Sequence, residues 1–329
     1  MTAAAAVHRA IVVHAHGGPE VMRLEPSDPG EPEPGQVRVR VAAGGVNFID
    51  VYFRTGFYPR PCPFVAGMEG AGTIERVGPG VSGFAPGDRV AWASVPGSYA
   101  EVVNAALEML VRVPAGVSDE QAAASMLQGM TAHYLTHATR NTRPGDTALV
   151  HAAAGGVGLL LVQMLKTAGA RVLATCSTEE KAALARGAGA DEVVCYTRED
   201  FVAAAHRFGG GAGVDVVYDA VGQSTFEGSL RSLHPRGLLV SFGQASGPIP
   251  PFEIRRLTDL GSLFVTRPSL THYIATRGEL EMRASAVFEV IASGALHVRI
   301  GARFPLGEAA AAHRALEGRE TTGKVLLIP

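Results

Sequence analysis

Apolar and polar positions alternate along Gln36-Val-Arg-Val-Arg-Val-Ala-Ala43, with Val37, Val39 and Val41 on one side and Arg38 and Arg40 on the other, the period of a half-buried strand. Similar patterns predict strands over Gly72–Val77, Arg89–Ala93 and Tyr99–Val103, separated by turns such as Gly78-Pro79-Gly80 and Pro86-Gly87-Asp88. The opening third therefore reads as a β-rich domain. At Ser118-Asp-Glu-Gln121 the rhythm changes: the spacing is that of a capping box, and it predicts a helix running through Ala138. Beyond it, short apolar runs at Thr147–His151, Arg171–Thr175, Glu192–Tyr196, Val214–Asp219, Leu238–Gly243 and Ser262–Thr266 alternate with helical segments. That alternation predicts an α/β fold with a doubly wound parallel sheet. The last stretch breaks the pattern, with a helix near Glu281–Ser293 and an apolar terminal strand at Lys324–Ile328.

Length adds that 329 residues suffice for two domains with cores of their own. Lys plus Arg number 29 against 31 for Asp plus Glu, so the net charge of −2 provides no field for a phosphate backbone or an anionic bilayer, and nucleic acid and membrane are disfavoured as partners. Three cysteines, Cys62, Cys176 and Cys195, make neither a disulfide framework nor zinc knuckles, which fits a reducing cytoplasm. The first residues, MTAAAAVHRAIVVHAHGG, lack the basic start of a secretory leader. The uncharged run Thr147–Leu165 has the length of a membrane span, but its glycines predict a strand, a tight turn and a buried helix.

That turn, His151-Ala-Ala-Ala-Gly155-Gly156-Val157-Gly158, is a variant of the dinucleotide fingerprint. Small residues let backbone amides approach a pyrophosphate at the positive end of a helix. The next strand ends at Cys176-Ser177 without the acid that would accept from a ribose 2′-hydroxyl. Instead Ser177-Thr-Glu-Glu180-Lys181 follows, a second capping-box spacing with an ammonium, in a chain that has only three lysines. The missing acid favours NADPH over NADH.

The sequence carries no clear signature of metal or hydrolytic chemistry. No nucleophile elbow or His-Glu-x-x-His helix stands out, and His133 and His137, four apart, have no third ligand in view. Gly67-Met68-Glu69-Gly70-Ala71-Gly72, then Val77-Gly78 and Gly87-Asp88-Arg89-Val90, resembles the medium-chain dehydrogenase/reductase superfamily. Its zinc members carry Gly-His-Glu at the first of these places and a cysteine where this chain has Asn47. Neither Met68 nor Asn47 replaces imidazole and thiolate, so no metal is expected. Within the superfamily, Asn47-Phe-Ile-Asp-Val-Tyr52 with Tyr58-Pro59, Ala122-Ala-Ala-Ser-Met-Leu-Gln-Gly-Met-Thr131, Ala152-Ala-Ala-Gly-Gly-Val-Gly158, Tyr218-Asp-Ala-Val-Gly222, Val240-Ser-Phe-Gly243 and Thr266-Arg-Pro-Ser269 together resemble the zinc-free NADPH:quinone oxidoreductases similar to zeta-crystallin.

The resemblance covers nearly the whole chain. It implies a GroES-like catalytic domain formed by 1–125 and 269–329, a Rossmann domain at 126–268, a cleft between them and a homodimer. The dimer would pair the edge strand near Ser262–Thr266. Carried over position by position, it implies that Asn47, Tyr52 and Thr131 line the nicotinamide end, with Asn47 and Tyr52 positioning substrate. Gly156 and Val157 would meet the pyrophosphate, and Ser177, Lys181 and Tyr196 would surround the adenosine 2′-phosphate. Phe242, Gly243 and Val265 would flank the cofactor, and Arg319 would reach it. The plain alternatives are strand or core positions for Tyr196, Phe242 and Val265, a solvated charge for Arg319 and loop packing for Asn47 and Tyr52. The activity implied is reduction of a quinone by NADPH, with one-electron or hydride transfer left open. The rivals are an enone or alkenal double-bond reductase and a low-turnover NADPH-binding protein, crystallin-like or RNA-binding.

Overall fold

In the computed structural model, which describes His8–Pro329, the uncharged run is broken as its glycines require: strand Thr147–Val150, a turn, and helix Gly156–Thr167. No helix among the described residues is long and apolar enough to cross a membrane. Met1–Val7, the start of the stretch read as lacking a secretory leader's basic region, lie outside the described residues. The chain forms two units, one holding residues up to Met130 together with Ile274–Pro329, the other holding Thr131–Tyr273.

The second unit is built on six parallel strands. Glu192–Cys195, Arg171–Cys176, Thr147–Val150, Val214–Asp219, Leu233–Ser241 and Phe264–Thr266 lie side by side in that order. The chain starts in the middle, moves out to one edge, then returns and builds toward the other. The strand order thus reverses beside Thr147–Val150, where sheets of this kind open a crevice at the strand ends. The interior strands are buried over nearly their whole length, as apolar runs between two helical layers must be. Leu149, Leu173, Val217 and Leu239 from four strands share one core with Phe208, Phe226 and Leu230 from the covering helices.

Several boundaries differ from expectation for local reasons. The fifth strand starts at Leu233 and passes through Pro235 and Arg236, the latter at φ 68°, residues that interrupt its apolar run. It ends at Ser241, so Phe242 and Gly243 lie beyond it. The sixth begins only at Phe264, because Ser262 has φ 57°.

The first unit carries a seven-stranded sheet whose long central strand, Gln36–Val46, pairs with Glu69–Val77, Val102–Ala106 and the terminal strand Lys324–Ile328. A small sheet of Arg9–Val13, Met22–Pro26 and Phe64–Val65 accompanies it. The strand expected at Tyr99–Val103 is instead Val102–Ala106, because Tyr99 bonds to the small sheet, its N–H to Ala66 and its carbonyl to Ile11. Val37, Val39 and Val41 face a core as the alternation requires. Arg38, however, is also buried: its Nε donates to Asn104 Oδ1 across the neighbouring strand. Ser118 and Gln121 exchange both capping-box hydrogen bonds, at 3.0 and 3.1 Å, ahead of helix Asp119–Tyr134. Helix Arg277–Ala292 belongs to this unit as well.

Candidate functional site

The expected site residues divide between the units: Asn47, Tyr52 and Arg319 fall in the first, and the remainder in the second. In the second unit, the turn after Thr147–Val150 is as tight as the fingerprint demands. A Cβ on Gly158 would stand 2.4 Å from the Ala152 carbonyl oxygen and 2.7 Å from the Ala153 Cα, so only glycine permits the helix to start this close to the strand. Ala152 itself takes φ 51°, a left-handed conformation unusual for a side chain with a Cβ. Gly156 and Val157 open the first turn of the twelve-residue helix, whose leading N–H groups have no intrahelical acceptor and present a positive end.

Behind the turn, His151 ties three strand ends together. Its Nδ1 lies 2.9 Å from Thr175 Oγ1 and its Nε2 3.1 Å from Ser229 Oγ, while Ser229 donates to Asp219 Oδ2 at 2.7 Å. Burial holds the imidazole below its ordinary range. Asp219 also accepts from the N–H groups of Val221 and Gly222 and from Thr225 Oγ1. The residue types of a hydrolytic triad meet here in the wrong order: the serine sits between the other two, buried, with its proton committed to the aspartate. The cluster is a brace for the turn at the sheet's switch point.

At the ends of the second and third strands, Ser177 and Tyr196 follow Cys176 and Cys195, which are paired in register, and the Tyr196 N–H donates to the Cys176 carbonyl at 3.1 Å. Tyr196 is 40% exposed, so it is not a core residue. Ser177 does not begin the next helix. Thr178 does, accepting from the Lys181 N–H at 3.3 Å ahead of Glu179–Gly187, which leaves the half-exposed Ser177 hydroxyl outside the cap. No acid stands at this strand end, and the neighbouring Ser177 and Lys181 fit an adenosine bearing a 2′-phosphate. Phe242 and Gly243 donate their N–H groups to the Asp219 carbonyl, and a Cβ on Gly243 would lie 2.5 Å from the Ala220 oxygen. Val265 packs against the sheet core, Thr131 is buried, and Arg319 follows helix Ala309–Glu317 of the first unit at φ 58°.

The first unit also holds a buried polar array that joins residues far apart in the chain. Lys324 and Glu69, 1% and 0% exposed as side chains, form an ion pair. The Glu69 carboxylate also accepts from Asn47 Nδ2 at 2.7 Å and from the Leu127 N–H at 2.6 Å. Burial pulls the Lys324 ammonium below the usual lysine range, and Glu69 opposes it. Asn47 is saturated: Nδ2 donates to Glu69 and to the Gly45 carbonyl at 3.1 Å, and Oδ1 accepts from Lys324 Nζ at 2.8 Å and Gln128 Nε2 at 3.2 Å. All four hydrogen-bonding positions of the amide are used inside the unit, leaving no donor for a ligand.

The array continues through helix Phe48–Thr55. Asp50 accepts from the Asn47 N–H at 2.9 Å and from Tyr99 Oη at 2.8 Å. His313 Nε2 lies 3.3 Å from Tyr99 Oη, and Arg54 joins His313 to Glu317. Burial raises Asp50 to about 7 despite the Tyr99 and Asn47 hydrogen bonds, and its Oδ1 has no partner. Above this layer, Tyr52 sits among Phe48, Phe57 and Tyr58, with the Tyr52–Tyr58 centroids 5.1 Å apart. Met68, at the place where zinc enzymes of the resembling superfamily carry histidine, accepts a weak hydrogen bond from Arg60. A thioether beside a guanidinium and a saturated amide do not fit a zinc ion. Among the described residues no three His, Cys, Asp or Glu side chains group as metal ligands. The His133 and His137 rings meet tilted, at 54° with centroids 4.7 Å apart.

Comparison with known proteins agrees with both units. Residues 33–144 match the alcohol dehydrogenase GroES-like domain, and residues 156–291 match a domain described as zinc-binding dehydrogenase. A quinone oxidoreductase of Pseudomonas aeruginosa is 47% identical over 96% of this chain and 98% of its own. A 2-haloacrylate reductase of Burkholderia is 44% identical over 97% and 98% respectively. The crystal structure of Escherichia coli quinone oxidoreductase complexed with NADPH superposes with a TM-score of 0.96, at 44% identity, over 98% of this chain and all of that one.

Proposed function

Because the chain belongs to the quinone oxidoreductase family, with its GroES-like and Rossmann-type parts, we propose that it is an NADPH-dependent quinone reductase that works without zinc. The observation that carries the coenzyme choice is the second strand's end, where Ser177 and Lys181 stand in place of an acid. When bound, NADPH supplies the reducing equivalents. The chain's own task is to bind and orient: the Gly156–Val157 turn receives the pyrophosphate, Ser177, Lys181 and Tyr196 receive the adenosine phosphate, and Phe242, Gly243 and Val265 flank the coenzyme. Tyr52 presents its hydroxyl to the acceptor on an aromatic platform. Asn47, with its amide fully engaged, acts as a positioning residue that joins the Tyr52 helix to the Glu69–Lys324 pair.

The Burkholderia relative supports a second reading, reduction of activated carbon–carbon double bonds on the same scaffold. Steady-state oxidation of NADPH and NADH with ortho- and para-quinones and with α,β-unsaturated carbonyl compounds separates the two. Turnover of quinones with NADPH preferred supports the first reading, and turnover of the alkenes alone replaces it with the second. Homodimer formation through the sheet's last strand belongs to the same proposal: Phe264, 60% exposed, lies on that edge, and light scattering after gel filtration tests it.

A further inference from the structure

Arg60 is a half-buried cation with poor partners. Its guanidinium lies over the rings of Phe53 and Phe64, 5.3 and 4.7 Å from the centroids, and Nη1 donates to Met68 Sδ at 3.6 Å. No carboxylate among the described residues pairs with it, whereas Arg54, Arg89 and Arg303 of the same unit each hold one. A guanidinium has five N–H donors in a planar fork, and a thioether is a weak acceptor, so most of its capacity to bind an oxyanion is unused. Burial pulls it below the usual guanidinium range, and Asp50 opposes that shift; a second anion would do the same. Phe53 meets Tyr58 at 6.0 Å and Tyr58 meets Tyr52 at 5.1 Å, so a run of ring contacts joins the guanidinium to the Tyr52 ring.

We propose that Arg60 is a specificity-determining residue that selects acceptors bearing an oxo-acid group, a carboxylate or sulfonate on a flat conjugated ring. The ring lies along the platform and the anion meets the free edge of the guanidinium fork. The proposal rests on the quinone-reductase reading. A plain structural role, with Arg60 serving only to cap Phe53 and Phe64, makes no distinction between charged and neutral acceptors.

The test compares 1,2-naphthoquinone with its 4-sulfonate, at fixed NADPH, for the wild type, Arg60→Gln and Arg60→Lys. The ratio of kcat/KM for the sulfonate to that for the neutral quinone is expected to fall about 10- to 100-fold in Arg60→Gln and by less in Arg60→Lys, which keeps the charge without the fork. Calorimetric titration of the coenzyme-free protein with naphthalene-2-sulfonate reads the same contact without turnover: the Kd is expected to rise by a similar factor in Arg60→Gln and to rise with salt in the wild type. Melting curves establish that each variant is folded. An unchanged ratio together with an unchanged Kd in folded Arg60→Gln overturns the proposal. If neither quinone is reduced by the wild type, the functional reading fails instead, and the sulfonate titration still decides whether Arg60 holds an oxyanion.

Discussion

Arg54 Nη1 stands 3.1 Å from His313 Nδ1, and since a guanidinium only donates, that nitrogen must offer its lone pair. The proton of the neutral ring is therefore on Nε2, which donates to Tyr99 Oη, and Tyr99 donates in turn to Asp50. One contact orients the donors along the whole row behind Tyr52.

Burial, with the Arg54 charge adding to it, lowers His313 to about 3, so the ring stays neutral in the fold at any ordinary pH while the unfolded chain protonates it near 6.5. A depressed value means the unfolded state binds the extra proton, so stability is lost as the pH falls below 6.5. Between pH 6.5 and 5 this amounts to about 2 kcal/mol. His313→Gln is expected to be less stable than the wild type at pH 7, with the gap narrowing by about that amount at pH 5, measured by urea unfolding. Nitrogen chemical shifts of the ring, expected to report an unprotonated Nδ1, test the tautomer directly.

Asp50 has the opposite sign. Its carboxyl is raised to about 7 in the fold, chiefly by burial, so its contribution is fully present below the unfolded value and is lost as the pH rises through 7. Asp50→Asn removes the titration while keeping an oxygen for the Asn47 and Tyr99 donors. The variant is expected to gain on the wild type by about 2–3 kcal/mol between pH 5 and pH 8. Parallel unfolding curves with a constant gap across that range would show that Asp50 is not raised.

Lys324 and Glu69 are so deeply buried that losing one partner strands the other. Lys324→Met alone is expected to cost about 3–5 kcal/mol, and the double change Glu69→Gln, Lys324→Met to recover most of it. If the double variant is as unstable as the sum of the two single ones, the pair is not the unit that matters.

The parts of the fold set by local period were legible from the residues. Thr147–Val150, the glycine turn and the alternating valines of Gln36–Val46 appear where apolar spacing and small residues demand them. The polar array was not legible, because it joins residues far apart in the chain, such as Glu69 and Lys324, whose pairing is visible only once the terminal strand lies beside Gln36–Val46. Asn47 stood out by its place in a motif, yet the motif could not tell that its amide would be used up internally. The only available hint at Lys324 was the scarcity of lysine. At Ser177 the ambiguity is local: two hydroxyls in succession offer overlapping capping frames, and Thr178 took the cap.

That frame matters for coenzyme choice, since a Ser177 not consumed by the cap is available to a ligand. A carboxylate at this position would accept from a ribose 2′-hydroxyl and repel a 2′-phosphate. Ser177→Asp is therefore expected to lower kcat/KM for NADPH about 100-fold while NADH is held or improved, a change in preference of about 3 kcal/mol. Lys181→Ala removes only attraction and adds no repulsion, so it is expected to weaken NADPH about 10-fold and leave NADH nearly as it was. The order of the two effects is the informative part. If both variants lose NADPH and NADH alike, the strand end holds the nucleotide by its common parts. The phosphate would then be read elsewhere, with Tyr196, exposed on the neighbouring strand end, the next residue to change.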